Sequence, residues 1–217
     1  MTIAITFASL NRRWPRASHD LVEGIVASSA TALAKYEINT PLRLAHFLAQ
    51  CSVECAAGTA MSENLNYTAS RLVQVWPSRF PTIDKAQPFA HDPRLLADNV
   101  YGGRMGNVAG TDDGWNYRGR GLIDITGKAE YAKIGTEMGL GPLAVAAFAA
   151  DPAHALEVAC AYWKITGLDA YADKDMIVTE SKVINGGLTG LADREAWLKV
   201  WKSELAEAPP CVAPHAA

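Results

Sequence analysis

Apolar side chains recur at helical spacing along most of this 217-residue chain, and proline or glycine interrupts each run. This pattern predicts a mainly α fold, because one apolar stripe per helix can pack into a shared core. Thr68 and Thr126 precede two of the runs as N-cap residues, and Asp151 with Pro152 begins another. The predicted helices span residues 20–36, 42–57, 69–75, 128–138, 152–166, 175–184 and a run through 191–205.

The segments between these helices are predicted from their turn residues. Four prolines and several glycines in residues 77–121 indicate short helices joined by loops. Apolar and polar residues alternate only briefly in 122–126, which predicts a short strand or an extended segment.

Length and composition favour one catalytic-sized domain over residues 1–217, with a large lobe, a small lobe from about 68–112 and a flexible tail at 207–217. The chain is 49% hydrophobic and 20% charged, as in ordinary globular proteins. A net charge of −3 argues against nucleic-acid binding through overall positive charge. No apolar run has membrane-spanning length, and no signal peptide is recognised.

One segment, residues 113–126, combines the residue types that bind carbohydrates. Its sequence is Asp-Gly-Trp-Asn-Tyr-Arg-Gly-Arg-Gly-Leu-Ile-Asp-Ile-Thr. Trp115 and Tyr117 offer flat faces for sugar rings, and Arg118 offers hydrogen-bond donors. The glycines allow a close approach of the backbone. The segment therefore predicts a sugar-binding surface.

Two carboxylates lie nine residues apart upstream of this segment, Glu54 and Glu63. Glycoside hydrolysis requires one carboxylic acid to protonate the leaving oxygen and one carboxylate to activate water or attack carbon. Glu54 shares a helical stripe with apolar neighbours, which favours the uncharged acid, whereas Glu63 lies among asparagines and suits the base. The alternatives are a solvent-facing glutamate at a helix end and a loop glutamate that caps the next helix.

Four segments resemble glycoside hydrolase family 19, the chitinase-like family that includes many phage endolysins. They are residues 63–67, 101–107, 114–126 and 184–194, in the family's order and spacing. The resemblance covers about residues 40–205. It implies a lysozyme-like fold with two helical lobes around a substrate cleft, and hydrolysis of β-1,4 bonds with inversion, in which Glu54 is the acid and Glu63 the base.

The resemblance also implies roles for other residues. Thr126 matches a hydroxyl residue that holds the attacking water, although it could also cap the next helix. Asn185 matches a substrate-binding asparagine, and Arg194 matches an arginine that pairs with acidic residues, which we expect to hold Glu63 ionised. The alternative role for the aromatic candidates is core packing. The alternative role for Arg118 and Arg120 is bracing of the loop. The further substrate-binding candidates are Tyr67, Tyr101, Arg104, Asn107, Trp115, Tyr117 and Arg118.

Three positions depart from the family pattern. Val53 stands where a histidine is usual, Asp124 where glutamine is usual, and Glu130 where asparagine is common. Val53 leaves the acid without a polar neighbour, and the two acidic residues add negative charge near the expected cleft. We expect the added charge to raise the pKa of nearby carboxylates, to alter the sugar preference or to reduce the activity.

The expected substrate is an N-acetylglucosamine-containing polymer, with peptidoglycan favoured over chitin because the compact chain resembles endolysins. The first alternative is a lytic transglycosylase that uses Glu54 alone, and the second is a non-catalytic sugar-binding descendant of the hydrolase. No metal or other cofactor is implied, and a monomer is expected. We expect synthesis in the cytoplasm without a signal peptide, and action on the cell wall after release through a holin or lysis.

Four cysteines do not form a disulfide framework in a chain this long. Cys51, Cys55 and Cys160 are therefore expected to be small buried apolar residues of a protein made in a reducing compartment.

Overall fold

A computed structural model describes residues 5–207 of the chain. Within this range the chain forms helices and two isolated β-bridges, Ser62–Arg120 and Arg120–Ile125, but no β-strand. The mainly α prediction is therefore confirmed. The helices are α1 Phe7–Arg13, α2 His19–Lys35, α3 Pro41–Glu54, α4 Ala69–Val75, α5 Ile83–Ala86, the 3₁₀ turn Gln87–Phe89, α6 Pro93–Tyr101, α7 Asp113–Asn116, α8 Lys128–Met138, α9 Pro142–Ala150, α10 Ala155–Ile165, α11 Asp169–Ala172, α12 Ile177–Asn185 and α13 Leu191–Glu207.

Several predicted boundaries are confirmed because their capping residues act as expected. The Thr68 side chain accepts a hydrogen bond from the Arg71 backbone N–H at 3.2 Å and begins α4. Glycine in the left-handed conformation ends α8 at Gly139 and α12 at Gly186. The expected short helices within 77–121 are present as α5, α6 and α7.

Other boundaries predicted from sequence are wrong. Helix α3 ends at Glu54 instead of 57, because Ala56 and Ala57 adopt positive φ angles of 47° and 53°. Helix α10 begins at Ala155 instead of 152, because the Asp151 carboxylate accepts the Ala153 N–H at 2.9 Å and holds a separate turn. The N-cap of α8 is Gly127, at φ 94°, and not Thr126. A side chain at position 127 would place its Cβ 2.5 Å from the Cβ of Met105.

The first of two compact units contains residues up to 61, 121–124 and from 147 onward. Its core surrounds α3, which is capped by Thr40 and packs against α13. The indole N–H groups of Trp14 and Trp201 both donate to the Ser52 hydroxyl, each at 2.9 Å. This shared acceptor fixes α3 against both aromatic side chains within a buried core.

The second unit contains residues 62–120 and 125–146. Its small apolar core consists of Leu65, Ala69, Leu72, Phe80, Ala86, Leu96, Ala97 and Val100. Helix α7 packs closely on α6 at Gly114, where an added Cβ would lie 2.4 Å from the Ala97 carbonyl oxygen. This close approach brings the neighbouring Trp115 against the core of the unit.

Two sequence predictions concern the chain as a whole. The division into a large lobe and a small lobe from about 68–112 stays a prediction. The tail predicted at 207–217 lies outside the described residues, except that Glu207 ends α13. No helix in residues 5–207 has the length and apolar character required to cross a bilayer.

The expected burial of cysteines is confirmed for Cys51, Cys55 and Cys160, which are buried free thiols. Burial raises the pKa of the Cys55 thiol to about 12, because the thiolate would lose its hydration.

Candidate active site

Glu54 is the last residue of α3 in the first unit. The left-handed residues that follow end the helix at this point, so its side chain stands at the helix terminus. The side chain is 16% exposed, and its Oε1 atom accepts a hydrogen bond from Arg194 Nη2 at 2.5 Å. The predicted acid is therefore a largely buried carboxyl group with a cationic partner.

Arg194 lies in the first turn of α13 and is 3% exposed. Its Nη1 atom donates to Gln50 Oε1 at 2.5 Å, and its Nη2 atom to Glu54. This geometry corrects the prediction that Arg194 holds Glu63. The Arg194 guanidinium donates instead to Gln50 and Glu54, both on α3. Val53 therefore does not leave Glu54 without a polar neighbour.

A buried polar chain that was not predicted from the sequence continues from Gln50. Gln50 Nε2 donates to Glu180 Oε2 at 3.2 Å, and the same oxygen lies 2.9 Å from His46 Nδ1. The other ring nitrogen of His46 lies 2.8 Å from Asp175 Oδ1. The spacing of His46, Gln50 and Glu54 could have predicted part of this chain. They lie four residues apart and therefore on one face of the helix.

Although His46 has two acidic neighbours, no group of three or more histidine, cysteine, aspartate or glutamate side chains in residues 5–207 has an arrangement that could hold a metal ion.

Asn185, the predicted substrate-binding asparagine of this unit, ends α12 and is exposed. Its Nδ2 atom donates to the Thr189 carbonyl at 3.4 Å.

Glu63 belongs to the second unit and lies outside any helix, next to the bridge residue Ser62. Its backbone N–H donates to the Gly119 carbonyl at 2.8 Å, which ties it to the sugar-binding segment predicted at 113–126. The Tyr101 hydroxyl donates to Glu63 Oε1 at 2.6 Å. The other carboxylate oxygen, Oε2, is buried and has no hydrogen-bond partner among residues 5–207. The structure thus brings two predicted site residues, Glu63 and Tyr101, into direct contact.

Arg118 lies over the ring of Trp115, with its guanidinium carbon 3.5 Å from the ring centroid. Its Nη1 atom donates to the Trp115 carbonyl at 2.9 Å. Loss of hydration on burial lowers the pKa of Arg118, and the negative charge of Glu63 acts in the opposite direction. Arg118 is therefore near enough to Glu63 for the two charges to interact. The Trp115 backbone N–H is itself held by Asp98 Oδ1 at 2.7 Å.

Two predicted substrate contacts, Tyr117 and Asn107, are buried in this unit. The Tyr117 ring packs on Tyr131 with centroids 5.8 Å apart. The Asn107 amide donates to the Tyr101 carbonyl at 3.1 Å and accepts from the Lys128 N–H at 2.9 Å. Their burial favours support of the surrounding loops, which is the core-packing alternative for Tyr117.

Arg120 braces the loop, which is the alternative role predicted for it from the sequence. Its Nη1 atom donates to the Asn116 carbonyl at 2.6 Å and to the Ala146 carbonyl at 3.4 Å.

Of the positions that depart from the family pattern, Glu130 is paired with Lys133 at 2.9 Å on the same helix, and Asp124 is exposed with a positive φ of 48°. The charge of Glu130 is therefore partly balanced locally.

Tyr67 and Arg104 adjoin a surface groove of about 440 Å³ in the second unit. The Tyr67 ring packs edge-on against Trp76 at a centroid distance of 5.5 Å. The groove is lined by Val75, Trp76, Pro77, Ser78, Arg79 and Arg104. Neither Arg79 nor Arg104 forms an ion pair with a carboxylate in the described part of the chain.

Sequence comparison identifies a relative over nearly the whole chain. A glycosyl hydrolase family 19 domain-containing protein of Haemophilus influenzae is 34% identical over 197 residues, which cover 89% of this chain and 94% of that protein. No protein-family model matches the chain.

Solved chitinase structures share the fold. A class IV family 19 chitinase of Zea mays has a TM-score of 0.59 at 18% identity and covers 95% of both chains. A bacterial family 19 chitinase has a TM-score of 0.63 at 19% identity, with 95% of this chain and 97% of that chain covered. Chitinase C of Streptomyces griseus has a TM-score of 0.57 at 18% identity, with 93% and 92% covered. The predicted family-type helical fold is thereby confirmed.

Proposed function

This chain belongs to glycosyl hydrolase family 19 and is a glycoside hydrolase, and we propose that it cleaves β-1,4 bonds of an N-acetylglucosamine-containing cell-wall polymer by an inverting acid/base mechanism. The observation that carries the proposal is the fixed position of Glu54 at the end of α3, with Arg194 bound to one carboxyl oxygen. A catalytic acid must be held in one geometry to protonate a leaving oxygen.

Glu63 is the proposed base. Its Oε1 atom accepts a hydrogen bond from Tyr101, which orients the carboxylate, and Oε2 has no hydrogen-bond partner among residues 5–207. The proposed reaction moves one proton from Glu54 to the glycosidic oxygen as the bond breaks. Glu63 takes a proton from the water that attacks the anomeric carbon on the opposite face. Thr126 is proposed to hold this water, and Asn185 to bind the sugar.

Peptidoglycan is the favoured substrate because of the groove of the second unit. Peptidoglycan carries carboxylates on its peptides, whereas chitin is uncharged. Arg79 and Arg104 present guanidinium groups beside the flat ring of Trp76, a combination that suits an anionic glycan strand. Chitin is the second candidate, since the solved relatives in the family are chitinases.

Product analysis tests the reaction. Purified peptidoglycan and a chitin hexasaccharide are digested, and the released ends are identified by mass spectrometry. Hydrolysis gives reducing ends, whereas 1,6-anhydro ends would identify a lytic transglycosylase and refute the role of Glu63. Glu54→Gln should abolish cleavage while the fold persists, and an active Glu54→Gln variant would refute the acid assignment. Binding without cleavage by the wild type would identify a sugar-binding descendant.

The substrate preference is tested by Arg79→Gln. This exposed residue donates to the Asn99 carbonyl and contributes one charge to the groove. We expect a several-fold loss of kcat/KM on peptidoglycan that diminishes at high salt, because salt screens exposed charges. The matched control is Arg71→Gln on α4, an exposed arginine outside the groove lining. Equal effects of both variants would contradict a cationic groove that binds an anionic glycan.

A further inference from the structure

Helix α3 carries polar side chains at three successive positions on one face, His46, Gln50 and Glu54. The first two are completely buried. Eight residues of α-helix span about 12 Å, so the face runs from the proposed acid to a point about two turns away. Every link along it lies within the first unit.

Gln50 is the link that transmits orientation. Its amide oxygen accepts from Arg194 at 2.5 Å, and its amide nitrogen donates to Glu180 at 3.2 Å. An amide that turned over would present a donor to the guanidinium and an acceptor to the carboxylate, and both bonds would be lost. The position of Glu180 therefore fixes the amide, and the amide fixes the arginine that holds Glu54.

Glu180 depends in turn on His46. Glu180 is fully buried, and its Oε1 atom has no hydrogen-bond partner among the described residues. Its Oε2 atom has two neighbours, His46 Nδ1 at 2.9 Å and Gln50 Nε2 at 3.2 Å. Burial of a carboxylate is costly unless it is well bonded. Loss of His46 would leave Gln50 to satisfy Glu180 alone and draw the amide away from Arg194.

The histidine ring is anchored at its far side. Asp175 Oδ1 lies 2.8 Å from Nε2, and Lys202 Nζ lies 2.6 Å from both carboxylate oxygens of Asp175. The chain of bonds therefore continues from the interior to a half-exposed ion pair. This anchor sets the rotation of the ring and aims Nδ1 at Glu180.

We propose that His46 is a positioning residue for Glu54, acting through Glu180, Gln50 and Arg194. The proposal rests on the assignment of Glu54 as the catalytic acid. His46 itself touches neither substrate nor the reacting atoms, so its effect is on the alignment of the acid in the transition state. A misalignment of about 1 Å far from the chemistry can cost about 100-fold in rate.

Two substitutions of His46 distinguish the roles of its two ring nitrogens. Asparagine places an amide nitrogen near the position of Nδ1 and can still donate to Glu180, whereas glutamine mimics Nε2 and cannot. We expect His46→Gln to lower kcat by about 10- to 100-fold with KM within about twofold, since only transition-state alignment is lost. We expect His46→Asn to retain kcat within about threefold.

The control is Phe47→Leu, the next residue of α3, whose ring packs edge-on against Trp163 at 5.5 Å in the apolar core. It should lower the urea midpoint and leave kcat per folded molecule unchanged. Equal kcat losses for His46→Asn and His46→Gln, or no loss for either, would overturn the positioning role.

A second variant covers the case in which His46→Gln does not fold. Glu180→Gln is nearly isosteric and removes the charge that both donors share, so kcat should fall to a similar extent. Unchanged kcat in Glu180→Gln would overturn the proposal. Activity in Glu54→Gln would instead overturn the proposed function, so the two failures are distinct.

Discussion

Replacement of Arg194 with methionine removes a cation that Glu54 and Gln50 share. Removal of one partner of a buried ion pair costs about 3–5 kcal/mol, because the other charge stays behind without compensation. Glu54 retains 16% exposure, so water can replace part of the lost bond. We therefore expect the lower end of the range, about 3 kcal/mol of unfolding free energy.

Methionine is chosen because it fills a volume similar to that of the aliphatic part of arginine and adds no hydrogen-bonding group. For a chain of this size, a loss of about 3 kcal/mol lowers Tm by about 6–12 °C. The matched control is Arg12→Met, which removes an exposed arginine 3.5 Å from Glu204. Arg12 is 60% exposed and Glu204 keeps its ion pair with Arg13, so the control should shift Tm little.

The assay is a double-mutant cycle by urea unfolding, with Arg194→Met, Glu54→Gln and the double variant. Each single variant leaves an uncompensated polar group, whereas the double variant removes both charges. The double variant should therefore lose about 3 kcal/mol, and not the sum of about 6 kcal/mol expected for independent sites. Additive losses would refute the direct coupling of the two side chains.

Three further perturbations test the packing and the charges of the first unit. Ser52→Ala leaves two buried indole N–H groups without their acceptor and should cost about 2–4 kcal/mol in urea unfolding; a loss below about 1 kcal/mol would contradict the shared bond. A hydrogen bond from Lys202 lowers the pKa of Asp175, so its contribution to stability is present above the ordinary aspartate pKa and is lost as pH falls through the lowered value. Lys202→Met should therefore reduce the urea midpoint more at pH 7 than at pH 2, and an equal difference at both pH values would refute the pairing. In a Cys211→Ser variant, a thiol reagent should label none of the three buried cysteines until urea is added, and rapid native labelling would contradict their burial.

Local chemistry made much of the helical architecture predictable. Thr68 begins α4 and Gly139 ends α8 because a side-chain acceptor and a left-handed glycine act within a few residues of themselves. The start of α10 was not predictable in this way. Asp151 and Pro152 have the composition of a helix start, but the Pro152 carbonyl approaches Gly24, where an added Cβ would lie 2.1 Å from it. This close packing, together with the turn that the Asp151 carboxylate forms with the Ala153 N–H, therefore overrides the composition of the segment.

The partners of the candidate site residues depend on folding that sequence spacing does not specify. The stripe from His46 to Glu54 could be read from the sequence, because a spacing of four residues places side chains on one helix face. The acceptors and donors that meet this face come from residues 175, 180 and 194, more than 120 positions away along the chain. The neighbours of Glu54 on α3 predicted an apolar flank for it. The packing of α13 against α3 instead gives Glu54 a polar contact with Arg194. The same limit explains why Arg194 was predicted to bind the other carboxylate: an arginine and two glutamates satisfy the same charge rule in either pairing, and only the packing of α13 on α3 selects Glu54.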